Sequence, residues 1–148
     1  MATIAPTLTL VSNASSATTL PGPLSVALSL SASVPELTIA TVKAATITVP
    51  TAAASLFTDA AQTEGDTAGT HGSFIYFKNT SPADHDIYIG FEVSGATAAE
   101  IQGPGAATRL GTLKQGEFAF FPYDFAGDIM IDSENAAATL EYFLFSRT

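Results

Sequence analysis

Residues 73–93 read Ser-Phe-Ile-Tyr-Phe-Lys-Asn-Thr-Ser-Pro-Ala-Asp-His-Asp-Ile-Tyr-Ile-Gly-Phe-Glu-Val. Two apolar runs, Phe74 to Lys78 and Ile87 to Val93, flank a stretch rich in Asn, Thr, Ser, Pro and Asp. In the second run Ile87, Ile89, Phe91 and Val93 alternate with Tyr88, Gly90 and Glu92. A period of two is the signature of a strand, because successive side chains point to opposite faces. Asn, Ser, Pro and Asp are the residues that bend a chain. The stretch therefore predicts two strands joined by a turn.

The same pattern continues toward the C-terminus. Leu110 and Leu113 precede Lys114-Gln115-Gly116-Glu117, where Gly116 can supply the positive φ of a tight turn. Phe118-Ala119-Phe120-Phe121 reads as a strand ended by Pro122, and Asp128 to Asp132 as a short strand followed by a turn at Ser133 to Ala136. The run Thr139 to Phe145 is apolar on both faces apart from Glu141, as expected of a central strand or one that a partner covers. Residues 94–105 are a Gly/Ala-rich loop.

The chain changes character near residue 57. Residues 1–56 hold a single acid, Glu36, a single base, Lys43, and no aromatic residue. They still alternate: Leu8 and Leu10; Leu24, Val26, Leu28 and Leu30; Leu37 and Ile39; Ile47 and Val49. Prolines 6, 21, 23, 35 and 50 punctuate these runs. Residues 58–72 are polar, acidic and Gly-rich without periodicity. The expected organisation is a low-charge strand arm at 1–56, an acidic loop at 57–72 and a β domain at 73–148. About nine strands at this spacing make the fold all-β, an antiparallel sandwich or jelly roll with an extended N-terminal arm.

Composition narrows the function. The chain has 148 residues, 14 acids and 5 bases, for a net charge of −9. Lys43, Lys78, Lys114, Arg109 and Arg147 are scattered, so no basic patch is expected to hold nucleic acid, and an anionic membrane would repel the chain. No apolar run reaches the roughly 18 residues of a membrane span, and the first residues lack the basic and apolar regions of a signal peptide. There is no cysteine for disulfides or thiolate metal sites. Charged residues make up 13% of the chain, against roughly 25% in ordinary soluble domains, which hints at surface hidden against copies or a partner.

The sequence offers little for catalysis or metal binding. Asp84-His85-Asp86 is the densest set of ligand-type residues, but such a triplet more often forms a solvated turn whose carboxylates cap local N–H groups. Asp59, Glu64 and Asp66 lack calcium-loop spacing. There is no G-x-S-x-G motif, and Gly103-Pro104-Gly105 is a rigid turn, since no phosphate-loop Lys follows it. No catalytic residue, cofactor or metal is expected. Two residue sets are expected to matter for assembly. In the aromatic cluster, Phe118 and Phe120 are expected in the core, while Phe121, Tyr123 and Phe125 form an outward patch. In the low-charge half the interface candidates are Leu28, Leu30, Ile47 and Val49.

The segments SFIYFKNTSPADHDIYIGFE, TRLGTLKQGEFAFFPYD and ATLEYFLFSRT, within residues 73–148, resemble small virion structural proteins of tailed bacteriophages. A strand bearing Lys78-Asn79 precedes an Ile87-Tyr88-Ile89-Gly90 strand, a Leu113-x-x-Gly116-Glu117-Phe118 hairpin follows, and the chain ends on Leu140-Glu141-Tyr142-x-Leu144-Phe145. The resemblance implies a capsid decoration (cement) protein, or a head or tail component. It further implies a homotrimer, the common form of such proteins, that binds the major capsid protein or other virion proteins, with no catalytic residue carried over. It would reside in the virion after synthesis in the bacterial host cytoplasm. The reading from another class is a carbohydrate-binding module using Tyr76, Tyr88 and Tyr123.

Overall fold

The structure is a computed structural model describing residues 2–4, 7–11, 25–29, 37–58, 73–92, 108–124 and 127–147. These residues hold eleven strands and no helix. Two compact units divide the chain, Met1–Ile39 and Ala40–Thr148. In the first, β1 (Ala2–Ile4) runs antiparallel to the opening of β4 (Leu37–Thr48), and β2 (Thr7–Val11) pairs with β3 (Ser25–Ser29).

The second unit begins within β4 and continues with β5 (Ala54–Phe57), β6 (Ser73–Asn79), β7 (Ile87–Glu92), β8 (Arg109–Leu113), β9 (Phe118–Tyr123), β10 (Asp128–Ser133) and β11 (Thr139–Arg147). One sheet runs β4-β11-β6-β9 and the other β5-β10-β7-β8. Counted within the unit, these orders are 1-8-3-6 and 2-7-4-5, so first and last strands are neighbours and the chain wraps between sheets as a jelly roll. The all-β sandwich expected from alternation is what forms. The boundary falls at 39/40, which places residues 40–57 with the sandwich. Leu37 to Thr48 is one strand of 12 residues where two shorter apolar runs were read, because the Ala and Thr between them are compatible with extended backbone.

Alternation fixes which side chains meet between the sheets. Ile75 and Phe77 of β6, Leu140 and Leu144 of β11, Ile87 and Ile89 of β7, and Ile129 and Ile131 of β10 are all buried in one cluster. Phe57 stacks at 6.4 Å on Phe77 and meets Tyr142 edge-on at 5.1 Å. Phe121 of β9 packs at 6.0 Å from Phe77. Burying each such side chain fully is worth roughly 1.5–3 kcal/mol, so this layer supplies most of the drive to fold.

Two turn features depart from the sequence reading. Gly116 does take φ +80°. Glu117 N–H donates to Lys114 O at 2.9 Å, closing a turn with the positive φ at its third position, the type II arrangement. The strands it joins, β8 and β9, belong to different sheets, so it is a crossing between layers and not a hairpin. Pro122 lies inside β9 and does not end it. That is tolerated because β9 is the last strand of its sheet and needs no further N–H partner on its outer edge.

Candidate interaction surface

The outward face of the β11-β6-β9 sheet is aromatic. Register pairs Tyr76 with Phe143 on one side and with Phe120 on the other, and pairs Phe74 with Phe145 and Pro122. Lys78 lies between Glu141 and Phe118. The rings touch one another across and along the strands: Phe74 of β6 stacks on Phe120 of β9 at 5.4 Å, and Phe143 on Phe145 within β11 at 5.8 Å. Tyr76 meets Phe143 at 5.7 Å and Phe118 at 6.1 Å. Phe118 is 56% exposed and Phe120 37%. Phe74, Tyr76, Phe143 and Phe145 are half-buried and pack on rings of this layer. Cross-strand aromatic pairs stabilise a sheet modestly, by roughly 0.2–1 kcal/mol each, yet leave the ring faces in water. Six contiguous aromatic side chains on one face make it the candidate interaction surface.

The phase of β9 is opposite to expectation. Phe118 and Phe120, expected in the core, point outward; Phe121, expected outward, points in and packs on the core cluster. The cause is the partner strand: β6 presents Ile75 and Phe77 inward, and the register sets Phe121 and Ala119 beside them. Tyr123 is fully buried, its hydroxyl 2.8 Å from both Thr58 O and Gly127 O, to either of which it can donate. Val49 is also fully buried, with its N–H donating to Ala138 O, and Ile47 is half-buried against the core. Tyr123 and Val49 are therefore corrected from interface to interior residues. Their alternation from outward Thr48 and Pro122 turns them inward. Leu28 lies in β3, opposite Leu8, while Leu30 and Phe125 fall outside the described residues.

The three tyrosines proposed for a sugar platform do not converge. Tyr76 is on the aromatic face, Tyr123 is inside, and Tyr88 is on the outer side of the other sheet beside Met130. The Arg109 guanidinium lies 4.6 Å over the Tyr88 ring, and the Tyr88 hydroxyl donates to Glu134 Oε1 at 2.9 Å. Burial first, then that hydrogen bond and the charge of Glu134, push the Tyr88 hydroxyl above its ordinary value.

At one end of the sandwich, residues 81–85 and 113–117 meet around Asn79. This side chain is fully buried; its Nδ2 donates to His85 O at 2.6 Å and to Leu113 O at 2.8 Å, and its Oδ1 accepts from Ser81 N at 3.0 Å. Its backbone accepts from Gly116 N and donates to Glu117 O. In the sequence Asn79 is a turn residue like its neighbours; what sets it apart is its place on the inward phase of β6, where a polar residue must carry its own partners.

Asp84, His85 and Asp86 border a cleft of about 350 Å³ with Lys114, Glu134 and Asn135. Lys114 Nζ lies 3.7 Å from Asp86 Oδ2, and His85 Nδ1 is buried without a hydrogen-bond partner. Among the described residues no three His, Cys, Asp or Glu side chains are placed to hold a metal ion. Replacing all three (Asp84→Asn, His85→Gln, Asp86→Asn) is expected to change stability by no more than about 1 kcal/mol, since the exposed ion pair is weak and the loop is held by backbone groups. Thermal melting of the triple variant checks this; a loss of several kcal/mol would show that the side chains hold the loop.

No family model, curated protein or solved structure matches the chain.

Proposed function

We propose that the chain is a non-enzymatic structural protein of a bacteriophage virion. In this reading it is a capsid decoration protein that stabilises the head by binding the major capsid protein and copies of itself. The observation that carries the reading is the contiguous aromatic layer on the outer face of a jelly-roll sheet. A chain of net charge −9 with that face open to water exposes an energetic liability unless something covers it. Assembly into a shell supplies the cover, and repeated copies turn modest single contacts into firm attachment. The resemblance of residues 73–148 to small tailed-phage virion proteins points the same way, and a jelly roll is an architecture found in viral shells, which is a fold-level analogy.

A tail, neck or fibre component of the same particle is the neighbouring reading, since it places the same demand on the face. The carbohydrate-module reading loses support, because the outward rings are five phenylalanines and one tyrosine, without the converging tyrosines it needs. Action by binding alone requires no cofactor and no metal, and the location would be the virion after synthesis in the host cytoplasm. The test is to raise antibody against the chain and label particles purified from the culture that carries the gene. Dense gold label over heads supports decoration, and label at the tail supports the neighbouring reading. A chain found only in the soluble fraction of the lysate, with unlabelled particles, would sink both.

A further inference from the structure

The outward face of β11-β6-β9 is laid out in three rows. Phe145, Phe74 and Pro122 form the first, Phe143, Tyr76 and Phe120 the second, and Glu141, Lys78 and Phe118 the third. The first two rows carry no charge, and the third carries one acid and one base side by side. These three rows thus sum to zero on a chain of net charge −9, so two copies can bring them together without net repulsion between the rows.

We propose that a second copy of the chain covers this face, in a two-fold pair whose axis lies in the interface and runs along the strands between β6 and β11. That axis lays β6 of each copy over β11 of the other at the same height. Phe143 then covers Tyr76, Phe145 covers Phe74, and each Lys78 faces a Glu141 of the opposite copy. The contact is self-complementary, as a two-fold interface must be. Two sheets face to face lie about 10 Å apart with strands within about 30°, a gap that interdigitating aromatic side chains fill. An axis across the strands would set the Glu141–Lys78 row on the Phe145–Phe74 row and bury both charges without partners, which is costly. A three-fold ring, as the phage resemblance implies, would need two different surfaces, whereas this face matches itself.

The proposal rests on reading the face as an assembly surface, not on the virion assignment, so particle labelling and the following test can fail separately. Lys78→Glu and Glu141→Lys are each made in the full chain and studied by sedimentation velocity, alone and mixed. Alone, each sets like charges against each other in the pair and should weaken association at least roughly tenfold. Mixed in equal amounts, the acidic face meets the basic one and paired molecules should return. Repulsion within a single chain would not be relieved by mixing, so recovery reads the contact between copies. The double variant Lys78→Glu/Glu141→Lys keeps both sets of pairs and should fold and associate as the wild type does, which covers the case in which a single variant folds poorly. A mixture or a double variant that stays monomeric overturns the proposal. So do single variants that pair as tightly as the wild type, a wild-type mass of three chains, or a wild type still monomeric at about 100 µM.

Discussion

Phe77→Ala is expected to lower unfolding free energy by about 3–5 kcal/mol, the cost of removing a large aromatic side chain from a core that cannot collapse around the gap. Phe77 is fully buried at the centre of the β11-β6-β9 sheet and touches Phe57 from the opposite sheet and Phe121 from the neighbouring strand. Phe57 is in turn held edge-on by Tyr142, so the gap removes a contact shared by four rings. Both sheets lose packing at once. Because a domain holds only about 5–15 kcal/mol in total, the variant should sit near the edge of folding. Urea denaturation followed by circular dichroism measures the loss as a lower midpoint with the same slope. Phe77→Leu should cost less than half as much, since most of the volume stays; equal losses in the two variants would mean that packing around this ring is not what holds the sheets together.

Asn79→Ala is expected to cost about 3 kcal/mol, although the residue is small and polar. Its amide pairs two carbonyls, His85 O and Leu113 O, and its carbonyl pairs Ser81 N–H; the bonds to Leu113 and Ser81 are buried and that to His85 is partly so. Truncation leaves three groups without partners, and an unpaired buried group costs roughly 1–3 kcal/mol, less than additively when neighbours relax. Asn79→Asp separates this from a loss of volume. The carboxylate is the same size but turns acceptors toward two carbonyl oxygens, so it should destabilise at least as much as alanine at neutral pH. Thermal melts of both variants decide the point, and an aspartate variant as stable as the wild type would contradict the hydrogen-bond assignment.

The sandwich itself was legible because Ile87, Ile89 and Phe91 of β7 alternate with Tyr88, Gly90 and Glu92, and because the apolar runs that become β6 and β10 are bounded by turn residues. Which face of β6 and β10 is buried was not, since apolar residues occupy both; Ile75, Phe77, Ile129 and Ile131 are the ones that join the core. Gly116 was legible because only a positive φ explains a glycine at that point of a tight turn, and its φ is +80°. β9 was not, since Phe118, Phe120, Phe121 and Tyr123 put rings on both faces. Alternation then specifies a strand but not which side is buried, and a shift of one residue exchanges the two sides. The choice was made by long-range pairing with β6, which no local pattern contains. The same ambiguity hid the surface: Phe74, Tyr76, Phe143 and Phe145 read as parts of doubly apolar strands, and only the register shows that they form one layer with Phe118 and Phe120. Asn79 escaped because its neighbours Thr80, Ser81 and Pro82 make an ordinary turn sentence.

The central claim is that this aromatic layer is an assembly surface, and native mass tests it most directly. Light scattering on a sizing column should be run over a range of concentrations for the full chain and for Phe118→Ser/Phe120→Ser. Those two side chains are 56% and 37% exposed, so the double variant should melt close to the wild-type temperature. The account predicts a wild-type mass of twice the 15.2 kDa chain and a variant mass of one chain. A wild type at the mass of one chain throughout, or a variant that pairs as the wild type does, would contradict it.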